Sequence, residues 1–199
     1  GKLVSVDQLM EEIKKYLPYM KYSNGGVTVS GGEPLLQIDF LIALFTECKK
    51  LGIHTTIDSS GGSYSINPTF QEKLRKLLKV TDLVLLDLKQ VNDRKHRTLT
   101  GVSNKHIKQF AKQLSDENVP VWIRHVLIPG ITDDKEDLQR LGEFIQTLNN
   151  VEKIEVLPYH QMGVYKWEKL GMEYPLEGVP TPTEEQVNEA KMILQHPSY

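Results

Sequence analysis

The chain has 199 residues, 39% hydrophobic and 25% charged, the balance of a globular domain with room for one sizeable core. Its 24 Lys and Arg nearly cancel 26 Asp and Glu, and a net charge of −2 gives no electrostatic ground for a nucleic-acid partner. One cysteine, Cys48, excludes an internal disulfide and any metal site built from several thiolates of this chain. The absence of an apolar run near the ~20 residues of a membrane span leads us to expect a cytoplasmic protein with no membrane partner.

Short β-branched runs predict five strands: Val27–Ser30, His54–Ser59, Leu83–Lys89, Val121–Leu127 and Ile154–His160. They begin roughly 27 to 38 residues apart, about the length of a βα unit. Helical patterns fill the gaps. Ser5 with Gln8 forms a capping box ahead of Leu9, Ile13 and Leu17, and Pro18 is expected to end or kink that helix. Leu41, Leu44, Phe45, Cys48 and Leu51 make a second stripe, closed by Gly52; Cys48 on this apolar face reads as a buried structural thiol. Phe70, Leu74, Leu77 and Leu78 mark a third helix, and Asp93–Leu99 a short one. Ile107, Phe110, Ala111 and Leu114 follow a cap at Asn104. Asp133 with Glu136 opens the helix carrying Leu138, Leu141 and Ile145, and Thr183 with Gln186 opens the last. Gly163–Thr183, rich in Gly, Pro and aromatics, reads as an ordered loop, and no boundary divides residues 1–199 into domains.

Alternating strands and helices imply an α/β fold with a mostly parallel sheet. Five strands are too few for a complete eight-stranded barrel. A partial barrel fits, with a doubly wound sheet as the structural alternative. In either, the C-terminal strand ends share the ligand-binding edge. Those ends are chemically rich. They read Ser30-Gly31-Gly32-Glu33-Pro34, Asp58-Ser59-Ser60, Asp87-Leu88-Lys89 and Pro158-Tyr159-His160, and the fourth strand carries Arg124 and His125 within apolar neighbours. Each has a plain structural reading. Gly31-Gly32 can be a tight turn, Glu33-Pro34 a helix start, Asp87 and Lys89 a salt bridge, Arg124 an anchor for a carboxylate and His160 a hydrogen-bonded histidine. Their common placement favours a site for a zwitterionic molecule with a polar ring system. Carboxylates attract an ammonium, Lys89 meets a carboxylate, and exposed backbone receives polar ends. No G-x-G-x-x-G, Ser-His-Asp or H-E-x-x-H pattern is present.

Five blocks, V-T-V-S-G-G-E-P (27–34), D-L-V-L-L-D-L-K (82–89), V-W-I-R-H-V-L-I-P-G (121–130), V-E-K-I-E-V-L-P-Y-H-Q-M-G (151–163) and Y-K-W-E-K-L-G-M-E-Y-P-L-E-G-V-P (165–180), resemble the pyruvate formate-lyase activating enzymes of the radical S-adenosylmethionine (SAM) superfamily. The resemblance implies a partial (β/α)6 TIM-type barrel, here about five parallel strands, whose [4Fe–4S] cluster reduces bound SAM. The resulting 5′-deoxyadenosyl radical takes a Cα hydrogen from a glycine of pyruvate formate-lyase, and flavodoxin is the usual electron donor. It implies that Gly32, with Gly31 and Glu33, meets the methionine part of SAM. Asp87, Leu88 and Lys89 match the cofactor-binding strand, His160 the adenosine-side histidine, and Arg124 a cofactor contact. Asp58, with Ser59, matches a position near the methionyl group where a monovalent cation has a role, although Ser59 replaces a Thr and the third ligand position is Leu85. The family's C-x-x-x-C-x-x-C cluster motif does not occur in these residues. We therefore expect a truncated radical SAM domain whose first βα unit and cluster loop lie upstream, inactive on its own, with β1 as an exposed edge. The alternatives are an activase of another glycyl radical enzyme and a non-catalytic barrel that binds a nucleotide-like ligand or a protein.

Overall fold

The capping box forms as the sequence announces: Gln8 N donates to Ser5 Oγ at 3.2 Å and Ser5 N to Gln8 Oε1 at 3.0 Å, opening helix α1 (Val6–Lys15). Helix α1 stops before Pro18, which takes a first-turn place in a new helix, α2 (Leu17–Ser23), where its missing N–H costs nothing. A computed structural model describes residues 2–197. The chain continues through strand β1 (Gly26–Val29), a 3-10 turn (Pro34–Gln37), α3 (Ile38–Lys50), β2 (His54–Ser59), α4 (Pro68–Leu78), β3 (Leu83–Asp87), α5 (Asp93–Thr100) and α6 (Lys105–Asp116). Strand β4 (Val121–Leu127), α7 (Lys135–Gln146), β5 (Val151–Pro158), α8 (Val164–Lys169) and α9 (Glu184–Gln195) complete it. The strands form one open parallel sheet in the order β1-β2-β3-β4-β5.

Five expectations need correction. The first strand is shifted back to Gly26, whose missing Cβ admits β2: a Cβ there would lie 2.1 Å from the His54 carbonyl oxygen. The last strand runs from Val151 to Pro158, so His160 stands beyond it, and β3 ends at Asp87, leaving Leu88 and Lys89 outside the ladder. Helix α7 is capped by Asp134, which accepts from Asp137 N at 3.0 Å, because the Asp133 carboxylate is taken by Gly130 N at 2.8 Å. The segment read as a loop after Gly163 contains α8, a six-residue helix that a Gly- and Pro-rich composition concealed.

The residues pack as two compact units. The first holds residues 2–87 together with Lys105–Trp122 and Asn149–Glu152. Its strands alternate. Ile57, Ser59, Val84 and Leu86 are buried, whereas Asp58, Leu85 and Asp87 on the other side are half-buried. Leu41, Leu44, Phe45 and Cys48 of α3 and Leu74 and Leu77 of α4 fill its core. Cys48 is fully buried, its Sγ 3.8 Å from Met10 Sδ of α1, and burial pushes the thiol pKa up. The second unit holds Leu88–Asn104, Ile123–Leu148 and residues 153–197. Here α7 packs on α9 so closely that a Cβ on Gly142 would lie 2.9 Å from the Leu194 carbonyl oxygen.

Candidate functional site

In the first unit, the loop after β1 is built around a carboxylate. Glu33 Oε1 accepts from Ser59 Oγ at 2.7 Å and from Leu35 N at 3.3 Å, and Oε2 accepts from Ser60 Oγ at 2.6 Å and Ser60 N at 3.1 Å. Glu33 thus caps the 3-10 turn that Pro34 begins and fastens that turn to the end of β2. Beside it, Gly31 and Gly32 adopt φ of 86° and 42°, a left-handed conformation that a Cβ disfavours. A Cβ on either glycine would meet no atom within 4 Å. The glycines therefore present bare, exposed backbone to open space, which suits the polar end of an amino-acid-like ligand.

The register pairs Asp58 with Leu85, and Asp87 lies two residues further on the same side of β3. The two carboxylates thus project from the half-buried side of neighbouring strands. The Ser59 hydroxyl points to the other side, where it also accepts from Gly61 N at 2.9 Å. A cation near Asp58 would find no side-chain oxygen at Leu85 and a Ser59 hydroxyl already committed. Among the described residues, no three His, Cys, Asp or Glu side chains stand together to hold a metal.

In the second unit, Leu88 is buried and Lys89 half-buried, continuing the alternation past the end of β3. Arg124 lies on the half-buried side of β4 and His125 on the buried side, with 2% of its surface exposed. None of Asp58, Asp87, Lys89 and Arg124 stands free of neighbouring groups. The His125 ring meets two backbone carbonyls, Leu88 O at 2.9 Å from Nδ1 and Thr132 O at 3.1 Å from Nε2. Burial pushes its pKa down. His160 is exposed and precedes a 3-10 turn, Gln161–Gly163. Its neighbour Tyr159 is buried, with its hydroxyl 2.8 Å from that of Tyr174, and burial and this contact push its pKa up to about 12. Trp167 packs edge-on against Tyr174, at 5.9 Å between ring centres.

Of the residues expected at the site, Gly31–Glu33, Leu88, Lys89 and His160 follow their strands, Asp58 and Asp87 lie within the last two residues of β2 and β3, and Arg124 lies in the middle of β4. Within the first unit, Gly31–Glu33 is hydrogen-bonded to the end of β2, and Asp58 and Asp87 share one side. Within the second, Leu88 donates its N–H to the Arg124 carbonyl at 2.9 Å. Sequence reasoning placed Ser60 at the end of the second strand but gave it no role, whereas its hydroxyl and N–H both donate to Glu33. It also missed the twofold engagement of His125, for which no local signal exists.

The profile of the radical SAM superfamily matches residues 1–142. A pyruvate formate-lyase-activating enzyme of Listeria monocytogenes is 57% identical over 195 residues, covering 98% of this chain and 79% of the relative. The chain belongs to the radical SAM superfamily, among the pyruvate formate-lyase-activating enzymes. A Staphylococcus epidermidis activating enzyme is likewise 57% identical, over 94% of this chain and 74% of its own length. Among solved structures, a domain of the activating enzyme from Bacteroides vulgatus superposes with a TM-score of 0.69 at 29% identity, covering 87% of this chain and 94% of that one. Streptococcus suis SuiB bound to SAM shares the fold, with a TM-score of 0.70 at 18% identity, over 97% of this chain and 41% of that one.

The bare Gly31-Gly32 backbone suits the polar end of an amino-acid-like group such as the methionyl part of SAM. The described residues do not suit an iron–sulfur cluster, since the chain's one cysteine is sealed against Met10. No helix among them is long and apolar enough to cross a membrane.

Proposed function

We propose that this chain is the SAM-binding part of an activating enzyme that installs a glycyl radical on pyruvate formate-lyase. The identity to activating enzymes over nearly the whole chain carries this reading. In the family's chemistry a [4Fe–4S] cluster would supply the electron that cleaves SAM to the 5′-deoxyadenosyl radical, which would take the glycine Cα hydrogen; the described residues of this chain would hold SAM and not the cluster. The residues of this chain bind and orient. Gly31 and Gly32 receive the methionyl amino and carboxylate groups along bare backbone, and Glu33 keeps that loop in place. Lys89 meets the carboxylate end, Asp58 and Asp87 balance its positive charge, with Leu88 beside them, and Arg124 and His160 serve the nucleoside side. Flavodoxin as electron donor completes the proposal; with Leu85 opposite Asp58 and the Ser59 hydroxyl already committed, these residues do not suit the monovalent cation that the resemblance implies.

The test uses the intact enzyme, reconstituted with iron and sulfide without oxygen and then reduced. The expected result is 5′-deoxyadenosine release together with a glycyl radical signal on pyruvate formate-lyase by electron paramagnetic resonance. Release of 5′-deoxyadenosine with no radical on that partner would redirect the reading to another glycyl radical enzyme, and no release would overturn it. The 199 residues alone, with one buried thiol, are expected to produce neither.

A further inference from the structure

Beyond Asp87 the chain leaves the β3 ladder, yet it is not loose. Leu88 N donates to Arg124 O at 2.9 Å, and Leu88 O faces His125 Nδ1 at the same distance. One residue past Lys89, the Asn104 side-chain amide donates to Gln90 O at 2.9 Å and to Val91 O at 2.7 Å. The Gln90 side chain in turn donates to Asp137 Oδ2 at 3.3 Å and accepts from Asn92 N at 3.1 Å. His125, Asn104, Gln90 and Asp137 are all buried. Three of the four carbonyls from Leu88 to Val91, those of Leu88, Gln90 and Val91, are thus met by two buried side chains, while Lys89 alternates to the half-buried side.

The far edge of the imidazole reaches the turn after β4. Its Nε2 faces Thr132 O, and the Thr132 hydroxyl knits that turn by donating to Val126 O and accepting from Ile128 N, each at 2.7 Å. A neutral ring donates to one carbonyl and packs against the other, whereas a protonated ring donates to both. Either way the ring joins the Leu88 peptide to a turn that is itself held in shape.

We propose that His125 and Asn104 are positioning residues. They brace Leu88–Val91 from opposite ends and thereby aim Lys89 at its ligand. This rests on the reading that Lys89 meets SAM. A long flexible lysine contributes most when the backbone beneath it does not move, since less freedom is lost on binding.

The experiment compares the intact, cluster-loaded enzyme with His125→Phe, Asn104→Ala, His125→Gln and Lys89→Ala. Two quantities are read: hydrogen exchange of the peptide spanning Leu88–Val91, and the SAM dissociation constant. Loss of one buried hydrogen bond corresponds to about a tenfold change. His125→Phe and Asn104→Ala are each expected to speed exchange in that peptide about tenfold, leave α3 unchanged and weaken SAM binding about tenfold. His125→Gln, which keeps one donor, should recover part of both. Asn104→Ala leaves the imidazole untouched and so reads the brace even if the phenyl ring unfolds the chain. Wild-type exchange in Asn104→Ala overturns the brace. Faster exchange with unchanged SAM affinity, while Lys89→Ala weakens it, overturns the positioning role. Normal SAM affinity in Lys89→Ala overturns the underlying reading of Lys89, and with it the aim assigned to the brace.

Discussion

Glu33 accepts four hydrogen bonds on its two oxygens, and three of them come from the end of β2. Glu33→Gln replaces one acceptor by an NH2 group that confronts hydroxyl and amide donors. Leaving buried donors unpaired costs about 1–3 kcal/mol. Urea denaturation should show a loss of that size, and SAM binding should weaken because the Gly31-Gly32 loop is no longer fastened. A denaturation midpoint equal to wild type would mean that the loop holds itself. The sequence exposes Gly31, Gly32 and Glu33 as a motif but not this network. Ser59 and Ser60 lie 26 and 27 residues from Glu33, and only the β1–β2 register brings them together. His125 shows the same limit, since its partner Leu88 is 37 residues distant. What local chemistry fixes was legible, namely the buried Cys48 and the alternation that separates Asp87 and Lys89 from Leu88.

At the scale of an element, α5 is tied down at its first residue. The Ser103 hydroxyl, followed by Arg97 and Asn104 N, donates to the Asp93 carboxylate and holds its pKa well below the usual range. Folding lowers this pKa, so the stabilisation is complete above the unfolded value of about 4 and is lost as pH falls toward the folded value. Asp93→Asn should therefore melt earlier than wild type at neutral pH. The gap in melting temperature should narrow as pH drops from about 5 toward 2. A constant gap across that range would show that the carboxylate's charge is not what matters. Helix ends such as Ser5 with Gln8 and Thr183 with Gln186 were legible because both partners of each box lie three residues apart. The neighbouring Asp133 and Asp134 could not be told apart, since either can cap and only the turn at Gly130 decides.

For the molecule as a whole, the strand order was implicit in the chain: successive parallel strands joined by helices neighbour one another, and the sheet follows sequence order throughout. Such a sheet has two ends, β1 and β5. On β1, Val27 and Val29 are half-buried and Thr28 is exposed. An uncharged edge is a template for pairing with another chain. Sedimentation velocity of the 199-residue chain should show concentration-dependent association. Thr28→Lys, which places a charge on that edge, should weaken association about tenfold. Association unaffected by the lysine would place the contact elsewhere. The net charge of −2 offers little long-range repulsion against it.

The sulfur of Cys48, shut between α1 and α3, has one further use. An alkylating reagent reaches it only when those helices part, so within these 199 residues the rate of thiol capture counts openings of one chosen seam. The protein carries its own stopwatch for local unfolding, with no dye or isotope added.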